Sequence, residues 1–229
     1  MTVQKQIGEA DFPLTKLIYA LAAAITLSYA LGVILAITIL RTRNSWLGEY
    51  APVAIALITI FSLSTVVVAY RSQSGLLRPT GVSSTTLSNI FIGVGSGAAI
   101  SFFALLFSSN EADSRLEALA VFHSVSWPGA LTILLVLVAL PILGELVFRG
   151  IVFRTLVEHS KVPAAVIASA LLFAYFWPIF IPVVRFAFGA VSALTFYRTK
   201  SLVPSIIANV VLSLSGCALV LYHVNHPGK

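Results

Sequence analysis

The stretch "LPILGELVFRG", residues 140–150, places a carboxylate and a guanidinium in one of the most apolar parts of the chain. Glu145 and Arg149 are four residues apart with the acid nearer the N-terminus, the better orientation for a helical ion pair. Each charge alone is expensive in apolar surroundings, so pairing accounts for both. Two readings follow. The pair is a functional site, or it is a pin that locks one helix against its neighbours. Gly144, directly before the acid, bears on the choice.

The composition says what must hold these residues. Of 229 residues, 59% are hydrophobic and 10% charged, and the mean hydropathy is +1.00. A soluble domain carries roughly a quarter charged residues, so this chain reads as an integral membrane protein. A formal net charge of +6 could suggest nucleic acid, but the basic residues stand singly between apolar runs. That is the pattern of Lys and Arg in cytoplasmic loops. Lone Cys217 excludes an internal disulfide.

The spacing of the charges predicts an all-α, polytopic helical bundle of about seven transmembrane helices. The run Leu17–Leu40 is longer than the core of a cleavable signal. At about 1.5 Å per residue it reaches roughly 36 Å, enough to cross a hydrocarbon core of about 30 Å. Further spans are expected at Tyr50–Tyr70, Leu87–Ser108, Gly129–Glu158, Pro163–Trp177, from "WPIFIP" to Tyr197, and Leu202–Tyr222. In the third, Gly93 and Gly97 form a small-xxx-small pair suited to close helix packing. The polar stretch 109–128 reads as an extramembrane loop with a short interfacial helix and Trp127 at the headgroup level. The chain divides into N-terminal helices with this loop (1–128) and a four-helix core (129–229). The excess of Lys and Arg in alternate loops places the N-terminus in the cytoplasm. Lack of a cleavable signal and of disulfides suits a bacterial cytoplasmic membrane.

Depth can be read from the turn at Lys161. If the fourth and fifth spans form an antiparallel hairpin, Glu145 lies level with Trp177, and Arg149 with Phe173. The last span brings Asn209, Ser213 and Ser215, and Asn209 and Ser213 share a face.

From Leu140 onward the chain resembles the CPBP family, the type II CAAX prenyl endopeptidases and bacteriocin-processing proteases. The family pattern is Glu-Glu-x-x-x-Arg, then Phe-x-x-x-His, then His-x-x-x-Asn or Asp, on buried helices. "GELVFRG" matches the first motif at Glu145, Phe148, Arg149 and Gly150, and "SALLFAYFW" matches the second at Phe173. "FGAVSALTFYRTKSLVPSIIANVVLS" carries the run-up to the third. The resemblance implies an intramembrane endopeptidase that activates water, by a glutamate–histidine mechanism or with a metal.

The departures fall on the chemistry. The family's first glutamate corresponds to Gly144, its histidines to Trp177 and Asn209, and its last motif position to Ser213. Glycine has no side chain. An indole has a donor but no lone pair, so Trp177 neither binds a metal nor takes a proton. Asn209 can donate to an oxyanion but is no base near neutral pH. Glu145 remains, yet Arg149 favours its charged form and so weakens it as a base. No metal set of the usual His, Cys and carboxylate kind is left, and no cofactor is expected.

Other candidates have simpler explanations. His123 lies in the polar loop, Glu158 and His159 at a turn about three helical turns from Glu145, and His223 and His226 in a polar tail. Arg185 either snorkels or pairs with Glu145. Arg154, Lys161, Arg198 and Lys200 follow from the positive-inside bias.

The sequence therefore points to a non-catalytic relative. It would keep the helical cage, use Glu145–Arg149 as a pin, fill a histidine's place with Trp177, and bind other membrane proteins within the bilayer. The alternative is a working endopeptidase for membrane or prenylated proteins, with Glu145 orienting water and Asn209 polarising a carbonyl.

Overall fold

A computed structural model of the protein describes residues 14–42, 45–74, 87–108, 127–176 and 182–225. These residues form seven helices: α1 (Leu14–Thr42), α2 (Ser45–Ser74), α3 (Leu87–Ser108), α4 (Trp127–His159), α5 (Val162–Phe176), α6 (Pro182–Thr199) and α7 (Val203–Asn225). The expected interfacial helix in the polar loop lies outside the described residues. Trp127, expected at the headgroup level, is exposed at the first position of α4.

Proline marks the helix starts. Pro128, Pro163, Pro182 and Pro204 each occupy one of the first two positions of a helix, where a missing N–H costs nothing. Pro141 is different, because it sits inside α4. Just before it, residues Leu135–Ala139 form a π-helical turn, and the Leu140 amide reaches back to the Leu135 carbonyl. A proline interrupts the ladder and crowds the carbonyl of the preceding turn, and the widened turn accommodates the fault. A second π segment, Leu146–Phe153, follows directly after Glu145 and contains Arg149. Between α6 and α7 the chain reverses tightly. Lys200 adopts a positive φ of 56°, and the Ser201 hydroxyl accepts from the Val203 amide at 3.3 Å, in the manner of a helix cap.

Helix α4 is central and touches α1, α2, α5, α6 and α7. Around it Leu17, Leu63, Val66, Phe148, Phe173, Phe188 and Leu212 form the main apolar core. Phe153, Phe196 and Leu202 belong to a second cluster nearer the turns. Gly93 and Gly97 pack as their spacing predicts, and their partner is α7. A Cβ on Gly93 would lie 2.7 Å from the Pro204 carbonyl oxygen, and one on Gly97 2.8 Å from that of Ala208. The two contacts step in the same direction along both chains, so α3 and α7 run parallel.

The outer surface is apolar. Tyr19, Phe61, Val68, Phe91, Phe102 and Tyr175 are all exposed, far more than a water-facing surface tolerates in contiguous patches. Among the described residues, four stretches are long and apolar enough to cross a bilayer: Leu14–Leu35, Tyr50–Tyr70, Leu87–Leu105 and Trp127–His159. Helix α5 is shorter. Its 15 residues extend about 22 Å against a hydrocarbon core of about 30 Å. The chain is an integral membrane helical bundle, and among the described residues four of the seven expected spans are both long and apolar enough to cross on their own.

Candidate functional site

The site is built where α4, α5, α6 and α7 converge. Glu145 ends an α-helical turn and Arg149 lies on the π segment that follows. Their side chains are 0% and 1% exposed, so every polar group needs a protein partner. Arg149 Nε lies 3.2 Å from Glu145 Oε2, a contact without hydrogen-bond geometry. Arg149 Nη2 donates to the Gly189 carbonyl at 3.3 Å. The guanidinium rests 4.3 Å above the Phe173 ring centroid and 5.4 Å from that of Phe188, close enough for cation–π attraction.

Helices α6 and α7 supply the carboxylate's hydrogen bonds. The Ser192 hydroxyl donates to Oε2 at 2.8 Å and the Asn209 amide to Oε1 at 3.0 Å. Ser205 then donates to the Ser192 carbonyl at 3.2 Å, tying α7 to α6. Glu145 thus carries one bond on each oxygen and an opposite charge beside it. Packing brings the helices near enough for this. A Cβ on Gly189 would lie 2.9 Å from the Ala170 Cα, so α6 meets α5 backbone to backbone and presents its carbonyl to Arg149.

Several expectations are met and others are not. Arg149 and Phe173 lie level, as the hairpin at Lys161 requires. Asn209 reaches Glu145, whereas Ser213, one turn further along α7, is half-buried and makes no hydrogen bond to the cluster among the described residues. Gly144 is buried in α4 beside the acid. Trp177 lies outside the described residues. Arg185 is 5% exposed and its guanidinium is 6.0 Å from the Phe173 centroid, so it points into the core and does not snorkel. His159 is exposed at the end of α4, its Nδ1 2.9 Å from the Thr155 carbonyl oxygen, remote from the carboxylate.

Sequence reasoning passed over Ser192, Ser205 and Gly189. The signal for the serine was present: "FGAVSALTF" sets Ser192 among small and apolar residues of a helix, where a lone hydroxyl must find a partner. Gly189 acts through its backbone and leaves no side-chain signature.

The donor set does not fit a metal. A structural or catalytic zinc takes three or four His, Cys or carboxylate ligands. Here one carboxylate faces two hydrogen-bond donors and a guanidinium, and among the described residues no three His, Cys, Asp or Glu gather. A cleft between α3 and α6, floored by α7, ends at Ser192 and Ser205, and it is too narrow to admit a water molecule. The arrangement can hold helices together and orient charge. It offers no solvated base.

Residues 126–215 match the family model described as type II CAAX prenyl endopeptidase Rce1-like. The resemblance carried by the three motifs is thus borne out over this stretch, and this part of the chain is CAAX-protease-like. No curated protein and no solved structure matches the chain.

Proposed function

We propose that the chain is a non-catalytic member of this family, a membrane-embedded scaffold that keeps the protease cage and binds other membrane proteins. One observation carries the reading: the motif carboxylate is wholly buried, with Ser192, Asn209 and Arg149 all engaged on it. A general base must reach the proton it abstracts, directly or through one water. Glu145 faces hydrogen-bond donors and a cation in place of the family's first glutamate and histidines. The pair then acts as the pin that fixes α4 against α6 and α7.

The orientation proposed for this scaffold has its N-terminus in the cytoplasm. Lys16, Arg154, Lys161, Arg198 and Lys200 support it. They lie at the end of the bundle that carries the α4–α5 and α6–α7 turns, where Phe153 meets Phe196 and Tyr197 and α1 meets the end of α4. Positive charge of this kind collects on the cytoplasmic side.

The second reading, a working endopeptidase, draws on Asn209, which stands within hydrogen-bond reach of Glu145. Cleavage of a prenylated CAAX peptide and of membrane-protein substrates by purified protein separates the two. The scaffold reading expects no cleavage above background by wild type or Glu145→Gln. Cleavage by wild type that Glu145→Gln abolishes, with the fold retained, would overturn it. Gly144→Glu, Trp177→His, Asn209→His and Ser213→Asn combined restore the family's motif residues, and gain of metal binding would mark the cage as a former active site.

A further inference from the structure

The α4–α5 and α6–α7 turns close on one another. Phe153 meets Phe196 and Tyr197 at ring separations of 6.2 and 6.5 Å, and Leu202 and Val162 pack into the same cluster. Arg154, Lys161, Arg198 and Lys200 stand on these two turns, the last three of them exposed. From Arg154 to Lys161 and from Tyr197 to Val203 the sequence holds a single acid, Glu158, which is half-buried and already engaged. Whichever group Glu158 meets, the turns keep a positive surplus.

Lys200 differs from the other three. Its φ of 56° is the left-handed conformation, which glycine adopts freely past a helix end and other side chains adopt at a cost. Its ammonium lies 4.1 Å from the Tyr197 ring centroid. Partial burial lowers its pKa and is the sole cause of the shift. A close carboxylate would act in the opposite sense, so none of the described ones stands beside it. The positive-inside bias explains the sign of these residues. It does not explain a lysine where glycine would relieve the backbone, and strain of this kind gathers at binding sites.

The adjoining surface shows what such a charge would meet. Val191, Leu194 and Arg198 follow one another at helical spacing along one side of α6, and Val191 and Leu194 are exposed at 37% and 43%. A lipid-facing apolar row therefore ends on a guanidinium. We propose that the two turns bind the headgroup of an anionic phospholipid, its phosphate on Arg198 and Lys200 and an acyl chain along Val191 and Leu194. Charge-assisted hydrogen bonds from Arg and Lys suit a phosphate, and Arg154 and Lys161 add to the attraction for anionic lipid. A soluble acidic protein would answer the charge but leave the apolar row uncovered. The inference goes beyond the scaffold role and does not depend on whether Glu145 retains chemistry.

The test is thermal unfolding of the full chain in dodecyl maltoside with dioleoyl phosphatidylglycerol, dioleoyl phosphatidylcholine, glycerol 3-phosphate or polyglutamate. Phosphatidylglycerol at saturation is expected to raise the midpoint by about 5 °C or more, and the other three are not. Arg198→Gln and Lys200→Gly should each weaken the binding read from a phosphatidylglycerol titration about fivefold, the share of one basic residue. Without lipid, Lys200→Gly should unfold no earlier than wild type, because glycine relieves the backbone. Arg198→Gln, at an exposed position, keeps the test decisive if Lys200→Gly fails to fold. Equal stabilisation by phosphatidylcholine, by glycerol 3-phosphate or by polyglutamate would overturn the proposal, as would phosphatidylglycerol binding unchanged in Arg198→Gln. Any of these results leaves the peptide-cleavage test, and with it the scaffold reading, untouched.

Discussion

The amide of Asn209 on α7 donates to Glu145 on α4 at 3.0 Å, joining positions sixty-four residues apart in sequence. In the family pattern Asn209 stands where a histidine belongs. Histidine there would be available to substrate or metal; asparagine spends its donor inside the protein. On the scaffold reading, that substitution turns part of a reactive set into a helix–helix contact.

Removing either donor leaves a buried carboxylate short of a partner. Asn209→Leu and Ser192→Ala should each destabilise the bundle by about 1–3 kcal/mol, read from unfolding in detergent. No change in either variant would mean that the carboxylate is not held in this way.

Glu145 and Arg149 should behave as a coupled pair. Arg149→Met alone strands the acid and is expected to cost about 3–5 kcal/mol. Adding Glu145→Leu should recover part of that loss, giving an interaction energy of about 0.5–3 kcal/mol in a double-mutant cycle. Strictly additive effects would argue against a pin.

The α3–α7 seam predicts a contrast between neighbouring glycines. Gly97→Leu drives a side chain into Ala208 and Val211 and should destabilise by about 1–3 kcal/mol or more. Gly95 has nothing within 4 Å of an added Cβ, so Gly95→Ala should stay within about 0.5 kcal/mol of wild type. Comparable losses in both variants would disprove the seam.

Thr155 is fully buried and its hydroxyl has no partner. Thr155→Val keeps the shape and removes the orphan oxygen. It is expected to stabilise by about 1 kcal/mol, seen as a higher midpoint for unfolding in the same detergent. A loss of stability would reveal a partner for the hydroxyl.

Much of the site was legible from spacing. A turn at Lys161 is enough to set Arg149 level with Phe173, because antiparallel helices share a depth scale. Asn209 stood out as one of few polar residues in an apolar helix. Ser192 escaped, and Arg185 was left between snorkelling and pairing, because α6 follows the proline-rich stretch "WPIFIP", across which no count of residues transfers depth from one helix to the next. The Gly93–Gly97 pair announced a close approach but not its partner, since a small-residue face fits any helix. Gly189 contributes a carbonyl, which every residue has.

The parallel seam between α3 and α7 has a consequence for how the protein is made. The glycines of α3 leave the ribosome well before the α7 residues that cover them, with α4, α5 and α6 synthesised in between. Until α7 arrives, a groove cut for backbone contact stands open to the lipid and to any other helix nearby. Assembly therefore closes last where α7, which begins inside the family-matched region, meets α3, which lies wholly outside it. Residues 126–215 expressed alone would lack the wall against which α7 is shaped.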